Sequence, residues 1–398
     1  MAQEEGLIQK QKLAMSDVRK RIAIFDHVGK KAGMDYYDSS LLKGFLHAGH
    51  EGYVFSNFSG LDAEHINYIP VYDGHSNANG LVKGLRLLFG TLRAAQLARK
   101  EKIDLVILHL FSANVVTLVL SAIPKLFGLK TAVISHDISS FAGNDSVAAV
   151  QGLIYNTLSD YIIVHNRFSY KTLMSNIKIK ETNKVHVIKH GGYLDYVEQK
   201  IDKKEARRQL GLEEHARYIL FFGQIKKVKG LDIVLEAMPD VDNNIHLIIA
   251  GKLWKDDFSY YDEIIKKHHL EDRIVKQVRF IKDDEREKYF IAADVNVLPY
   301  RTIYQSGVLL MAMSYGLPVI ASDLPANKEI IADKKNGLLF QSENSLKLSE
   351  QISRYFNDDS LRDTISRNSI ETIERNYNWD DIARAYLDII SNHRGDRE

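Results

Sequence analysis

Short apolar runs alternate with helical stretches along most of this chain, and the alternation breaks off and restarts once. Runs at 21–28 (RIAIFDHV), 52–56, 103–109, 130–135 (KTAVIS), 161–165 (YIIVH) and 184–189 (KVHVIK) have the length and β-branched content of buried strands. Between them 79–102 and 115–126 read as helices, and another helix follows the loop GKKAGMD and ends at Gly49. After Gly192 the pattern begins again. A charged helix at 202–211 precedes strands at 218–223, 245–251, 278–281, 295–299 and 319–321 and an edge strand at 337–340. Helices at 231–238, 260–269 and 286–292 lie among these strands, and helices from 345 to 390 close the chain. Strands that alternate with helices lie in a parallel sheet covered on both faces. Two such series, in 398 residues that exceed one comfortable core, predict an α/β protein with two Rossmann-like domains facing across a cleft. The domains are expected at 21–192 and 193–376, with 1–20 an N-terminal tail and 377–398 a helix that packs back on the first domain.

The second series is organised around 298–329, LPYRTIYQSGVLLMAMSYGLPVIASDLPANKE. A strand end leads into a polar loop carrying Arg301, Thr302, Tyr304, Gln305 and Ser306. Ser306 is placed to cap a helix that starts at Gly307, and Gly316 to end it. A helix that starts just past a strand's carboxyl end aims free N–H groups and a partial positive charge at the crevice there. This predicts a diphosphate site at Ser306, Gly307 and Val308. In the first series Gly29 and Gly33 follow a strand without dinucleotide-binding spacing, and are assigned to the cleft.

A net charge of +1 argues against a dedicated nucleic-acid binder. No cysteine means no disulfide and no thiolate chemistry, which fits a reducing, cytoplasmic compartment. The longest apolar run, 115–127, is interrupted by Ser121, Pro124 and Lys125 and is too short to span a bilayer. The first twenty residues carry acids and no apolar h-region, so they read as a tail or loosely attached helix, not a secretory signal. One region departs from neutrality. Residues 79–130 hold eight Lys/Arg against Glu101 and Asp104, a local charge of +6. Lys83, Arg86, Arg93 and Lys100 fall on one helical stripe, predicted to lie opposite a stripe of Leu85, Leu88, Leu92 and Ala95. Such a helix either docks on anionic lipid or presents an ordinary solvated face.

Four segments carry a family resemblance: 219–238 (ILFFGQIKKVKGLDIVLEAM), 245–253 (IHLIIAGKL), 292–301 with 306–329, and 187–193 (VIKHGGY). In this order and spacing the chain from Arg21 onward resembles the GT-B glycosyltransferases, specifically the retaining family-4 group that uses nucleotide-sugar donors. In that family an arginine follows the strand-end glycine, here Gly223, and a lysine precedes the next glycine. Here Gln224 stands at the arginine position, Lys229 and Gly230 match, and Lys226 and Lys227 lie between. The resemblance implies that Lys226 and Lys229 stabilise the charge that develops on a leaving nucleotide diphosphate. The family also carries two glutamates that contact ribose and donor sugar, but Ile303 and Met311 stand at those positions and neither is a useful acceptor. Arg301, Tyr304, Gln305 and Ser306 are the nearest polar groups for the donor. Glu329 matches a carboxylate near the nucleotide and equally reads as an acid in the first turn of a helix. His136 matches a histidine lining the donor-sugar site; the pair His136-Asp137 also reads as a structural histidine beside a helix cap. His165 is assigned to the cleft or acceptor side, and His190-Gly191-Gly192 to a hinge.

The resemblance implies transfer of a sugar from a nucleotide-diphosphate sugar to a glycan or lipid-linked acceptor, with retention, in cell-surface polysaccharide or glycoconjugate synthesis. No metal or other cofactor is expected, and the paired carboxylates of glycoside hydrolases are not recognisable. Two further readings stand beside it. A GT-B nucleotide-sugar epimerase would consume donor without an acceptor, and a non-catalytic glycosyltransferase-like partner would explain the missing acids. The abundance of Lys, Ile, Asn and Tyr points to an AT-rich bacterial source.

Overall fold

The strand pattern closes into two separate parallel sheets. A computed structural model describes residues 19–29, 34–58, 65–72, 80–138, 145–198, 200–255 and 257–392. The N-terminal stretch 1–18 and Gly33 lie outside the described residues. The first sheet contains β1 (Arg21–Phe25), β2 (Glu51–Ser56), β3 (Ile66–Pro70), β4 (Leu105–Leu110), β5 (Thr131–Ser135), β6 (Tyr161–Val164) and β7 (Val185–Val187), in the order 3-2-1-4-5-6-7. The second contains β8 (Arg217–Phe222), β9 (Ile245–Ala250), β10 (Ile274–Gln277), β11 (Val295–Leu298), β12 (Val319–Ser322) and β13 (Leu338–Phe340), in the order 10-9-8-11-12-13. In each sheet the first strand pairs in parallel with two others, β1 with β2 and β4, and β8 with β9 and β11. On either side of that strand the chain connections leave toward opposite faces, so a crevice opens at the carboxyl ends.

Two compact units result. Of the described residues, those up to Val164, Tyr170–Ile188 and Trp379–Asn392 form the first, and those in His165–Ser169 and Lys189–Asn378 form the second. The crossing therefore falls between Ile188 and Lys189, four residues before the expected boundary. The C-terminal helix, Trp379–Asn392, belongs to the first unit. Its Ile382, Ala383, Tyr386 and Ile390 share a core with Leu41 and Phe45 of the helix Met34–His47. A Cβ on Gly44 would stand 2.5 Å from the carbonyl oxygen of Trp379, so this approach requires glycine. Gly192 is also a packing glycine, in place of the expected hinge: its Cβ would lie 2.3 Å from Ile373 Cγ2, and its N–H donates to Tyr377 O at 2.7 Å.

The third strand of the second sheet lies earlier than the sequence indicates. Residues 274–277 pair with β9, while Phe280, within the expected 278–281, is 59% exposed past the strand's end. Edge strand β3 and the helices Asp145–Leu153 and Arg167–Asn176 carry too weak an apolar period to be marked in the sequence. The basic helix, Gly80–Lys100, packs differently from expectation. It buries the small residues Gly90, Thr91, Ala94, Ala95 and Ala98, while Leu88 and Leu92 are half-buried. Gly90 presses so close to Val71 O that a Cβ would meet it at 2.6 Å. Leu85 is consequently exposed with Leu81 and Phe89, on the side that carries Arg86, Arg93 and Lys100. Among the described residues no helix is long and apolar enough to cross a membrane.

Tyr386 is 1% exposed, and truncating a large aromatic in a core costs about 3–5 kcal/mol. Tyr386→Ala is expected to lower the unfolding free energy of the first unit by that order in a urea titration. A loss below about 1 kcal/mol would show that the C-terminal helix is not integral to this core.

Candidate functional site

In the second unit the crevice beside β8 is shaped by three glycines. Gly223 ends β8 with φ +107°. Gly251 ends β9, and its Cβ would meet Gly223 O at 1.8 Å. Gly230 takes φ +71°, and its Cβ would lie 2.0 Å from Pro299 O. Between Gly223 and Gly230 runs the basic loop, fastened on both sides. Ile225 N donates to Lys252 O at 2.9 Å, and Arg301 N donates to Val228 O at 2.9 Å. The loop tightens into a 3-10 turn at Lys227–Lys229 before the helix Leu231–Ala237.

This scaffold sets two ammonium groups on aromatic faces. Lys229 Nζ stands 3.7 Å from the centre of the Tyr300 ring, and Lys226 Nζ stands 4.2 Å from that of Trp254. Among the described residues no carboxylate is ion-paired with Lys229. Gln224 is exposed at the start of the loop. The helix Gly307–Ser314 begins beside the same crevice. Ser306 caps it, its Oγ accepting from Leu309 N at 3.2 Å, and the amides of Gly307 and Val308 have no intrahelical acceptor. A Cβ on Gly223 would be 3.4 Å from Val308 Cγ2, so the helix start and the strand-end glycine adjoin. Gly307 is covered by Tyr193, whose hydroxyl would be 2.8 Å from an added Cβ.

Several expected donor contacts have other work in this unit. The Arg301 guanidinium forms a two-pronged pair with Asp232, at 3.0 and 2.7 Å, and donates to Lys227 O at 2.7 Å. It fastens the basic loop, and its donors are not aimed at a phosphate. Asp232 also holds the guanidinium protonated, above its ordinary range. Glu329 accepts from the backbone N–H groups of Arg167 and Phe168, at 2.9 and 2.6 Å, and so caps the helix Arg167–Asn176 instead of facing a nucleotide. Tyr304 is buried; its carbonyl accepts from Asn166 Nδ2 at 2.5 Å, and Gln305 Oε1 accepts from the same group at 3.3 Å. His165, read as a cleft or acceptor-side group, and His190, read as part of a hinge at the cleft, are buried edge to face with ring centroids 5.3 Å apart. Met311 is buried in the apolar core and Ile303, half-buried, packs against it.

In the first unit, the residues at the carboxyl ends of β1, β4 and β5 form a second cluster. His136, just past β5, lies flat on Phe111 with ring centres 4.3 Å apart. Its Nε2 is 2.8 Å from His109 Nδ1, and His109 Nε2 is 2.8 Å from Asp38 Oδ1. Asp26 accepts from the N–H groups of Val28 and Gly29, each at 2.8 Å. Gly29, at φ +58°, lies against Asn57, whose Oδ1 would be 2.1 Å from a Cβ. Burial, with Asp38 nearby, pushes the Asp26 carboxyl up to about 6. Burial also holds Asp38 well above the usual carboxylate range and drives the His109 imidazole down to about 4. Asp137 is half-buried beside His136, and most of the loop after it lies outside the described residues. The sequence reading named His136 and Gly29 but missed Asp26, Asp38, His109, Tyr300, Trp254 and Asp232. The available signals were an acid in the apolar helix YYDSSLL and a histidine in the apolar strand LVILHL.

Another cavity lies away from the crevice of the second unit. About 880 Å³ opens at the amino ends of the second sheet, lined by Arg207, Arg217, Asp294 and Arg362 among others. Arg207 is already paired there with Asp294 at 3.0 Å.

Residues 202–372 match the family described as glycosyl transferases group 1. The uncharacterized glycosyltransferase MJ1607 of Methanocaldococcus jannaschii is 28% identical over 192 residues, 47% of this chain and 48% of that protein. Spore coat protein SA of Bacillus subtilis is 26% identical over 277 residues, 65% of this chain and 69% of that protein. The matched stretch thus spans about half the length of the Methanocaldococcus relative. Among solved structures, HepE of Anabaena in complex with UDP and glucose superposes with a TM-score of 0.75 at 18% identity, covering 94% of this chain and 100% of that one. The architecture, two Rossmann-like parallel-sheet units, is that of GT-B glycosyltransferases.

A carboxyl raised by folding supports the fold when protonated and opposes it when ionised. Asp26 therefore contributes stability below about pH 4 that is lost as pH rises through about 6. Measured against Asp26→Asn, wild type is expected to lose up to about 3 kcal/mol between pH 4 and 7.5, from about two pKa units at 1.36 kcal/mol each. Unfolding titrations at both pH values check this, and a constant difference would refute it.

Proposed function

We propose, starting from a chain that carries a glycosyl transferases group 1 domain over residues 202–372, that this protein transfers a sugar from a nucleotide-diphosphate sugar to a glycan or lipid-linked acceptor. The observation that carries the reading is the Lys229 ammonium, with no carboxylate ion-paired to it among the described residues, at the crevice where the helix Gly307–Ser314 begins. Those groups fit a diphosphate whose charge grows as the sugar leaves. In the step proposed, the bond from the anomeric carbon to the phosphate oxygen breaks as the acceptor oxygen bonds that carbon from the same face. The acceptor hydroxyl proton passes to the leaving phosphate oxygen. Lys226, Lys229 and the Gly307 and Val308 amides hold the diphosphate, Arg301 holds the loop that presents the lysines, and no metal is given a part. His136 is assigned to the sugar end, and the first unit to the acceptor.

Lys229→Ala is expected to lower turnover about 10²–10³-fold, the usual loss when one fixed charge-stabilising donor is removed. Wild-type turnover in this variant would sink the assignment. Ile303 and Met311, apolar where the family carries acids, favour one second reading, a non-catalytic partner. Thermal shifts with UDP, GDP and ADP, followed by assays with the matching sugars, separate the two. Binding without turnover or donor loss supports the partner, and donor loss without an acceptor product supports an epimerase.

The acceptor's lipid character is proposed from the surface of the first unit. Leu81, Phe89 and Val115 are 75%, 65% and 69% exposed, beside Leu85, Val116 and Val119. Lys83, Arg86, Arg93 and Lys100 lie on the same helix as Leu81 and Phe89. Exposed apolar groups among cations complement an anionic bilayer surface, and the proposed location is the inner face of the membrane. Flotation with phosphatidylglycerol vesicles is expected to carry the protein at low salt, release it at high salt, and fail for Phe89→Asp. No binding at low salt would end the proposal.

A further inference from the structure

The cavity of about 880 Å³ at the amino ends of the second sheet has no part in the transfer step above, and its lining belongs entirely to the second unit. Arg217 opens β8, Asp294 precedes β11 and Pro318 precedes β12, so three strand starts contribute to its wall. Sites for small molecules occupy roughly 300–1,000 Å³, far more than a lone ion needs. Most of the charge around this cavity is used within the protein. Arg207 donates to Ala292 O at 3.0 Å, to Glu214 O, and to both carboxylate oxygens of Asp294 at 3.2 and 3.0 Å. Lys203 pairs with the same carboxylate at 2.5 Å, and Lys200 with Glu198. Arg362 pairs with Asp359 and donates to the carbonyls of Tyr355 and Phe356 at 3.3 and 2.8 Å. Asp202 caps the helix Lys203–Gln209, and Glu214 pairs with Lys204 at 3.0 Å.

Arg217 differs from these cations. Among the described residues its guanidinium is neither ion-paired with a carboxylate nor hydrogen-bonded to any acceptor. It is half-buried over Phe356, 5.5 Å from the ring centre. An aromatic face holds a guanidinium without consuming its N–H donors, so the fork stays available to two oxygens side by side. Another part of the wall is apolar: Phe290 stacks on Tyr315 with ring centres 5.2 Å and planes 14° apart. His215 and Asp363 are exposed lining residues and are not ion-paired either. An anionic group beside Asp363 would be repelled, which favours a ligand whose charge sits at one end. We propose that this cavity is a second binding site, separate from the crevice at Lys229, for a small organic anion. Arg217 takes its phosphate or carboxylate group, and the body of the ligand lies against the Phe290–Tyr315 wall. The site does not rest on the sugar-transfer reading.

Spectra of the full chain labelled with ¹⁵N at arginine test this at the residue itself, the Arg217 Nε–H signal being the one lost in Arg217→Met. The probes are ribose 5-phosphate and gluconate, each with a polyol body and its charge at one end, and inorganic phosphate, which has no body. Ribose 5-phosphate, gluconate or both are expected to move the Arg217 signal saturably, with a midpoint of about 1 mM or below and about tenfold or more below that of inorganic phosphate. The stronger of the two tells phosphate from carboxylate recognition. An Arg217 signal that neither organic anion moves at ten times that concentration would overturn the proposal in the wild-type chain, with no variant needing to fold. Equal midpoints for all three probes would overturn it too, since they mark an ordinary surface cation. In calorimetry with the stronger probe, Arg217→Met, which keeps the apolar stem over Phe356, is expected to weaken binding about tenfold or more, and Lys229→Ala to leave it unchanged. The opposite pattern would put the ligand in the crevice at Lys229 and end the proposal.

Discussion

The carbonyl oxygen of Pro299 lies where residue 230 would carry a Cβ, and the crevice of the second unit depends on that approach. β8 and β11 are neighbours from which the chain leaves in opposite directions, so their following loops must meet above the sheet. Gly230 lets them meet at backbone distance and takes the left-handed turn that starts the next helix. With the loops in contact, Arg301 reaches across to Asp232 and the carbonyl of Lys227. Lys229 Nζ is thereby held over the Tyr300 ring and Lys226 Nζ over that of Trp254.

The same economy explains two residues that look anomalous in the sequence. Ile303 and Met311 occupy positions where a resembling chain would carry glutamates, and both pack with the core around Leu309, Leu310 and Met313. Arg301 and Glu329, by contrast, are charged groups close to the crevice whose charges are spent within the unit. One closes a loop and the other caps a helix.

In the first unit the constraint is aromatic packing around buried acids. The C-terminal helix brings Trp379 edge-on to Tyr37, with ring centres 4.9 Å apart, and Tyr37 in turn braces both imidazoles. A helix drawn from the far end of the chain thus helps to keep Asp38 and His109 dry. Dryness is what raises one and lowers the other.

By itself the sequence determined the alternation of strands and helices, the presence of two parallel sheets, the glycines at the strand ends and the cap at Ser306. These depend on local period, turn chemistry and burial pattern, which neighbouring residues specify. It was least informative where a decision needed a partner distant in the chain. Strand β10 lies at 274–277 because register with β9 decides it, although VRFI at 278–281 is as apolar. The basic helix turns its small residues inward because Gly90 meets the backbone of Val71, which leaves Leu81 and Phe89 outside with the cations. Asp26, Asp38, His109 and His136 are scattered over 111 positions, from 26 to 136, and only the order of β1, β4 and β5 in the sheet brings them together. Whether a charged side chain binds a ligand or serves the fold was likewise a tertiary decision, since a guanidinium goes to a carboxylate and a carboxylate to free N–H groups that only the fold brings near. For Arg301 and Glu329, those groups lie 69 and 162 residues away.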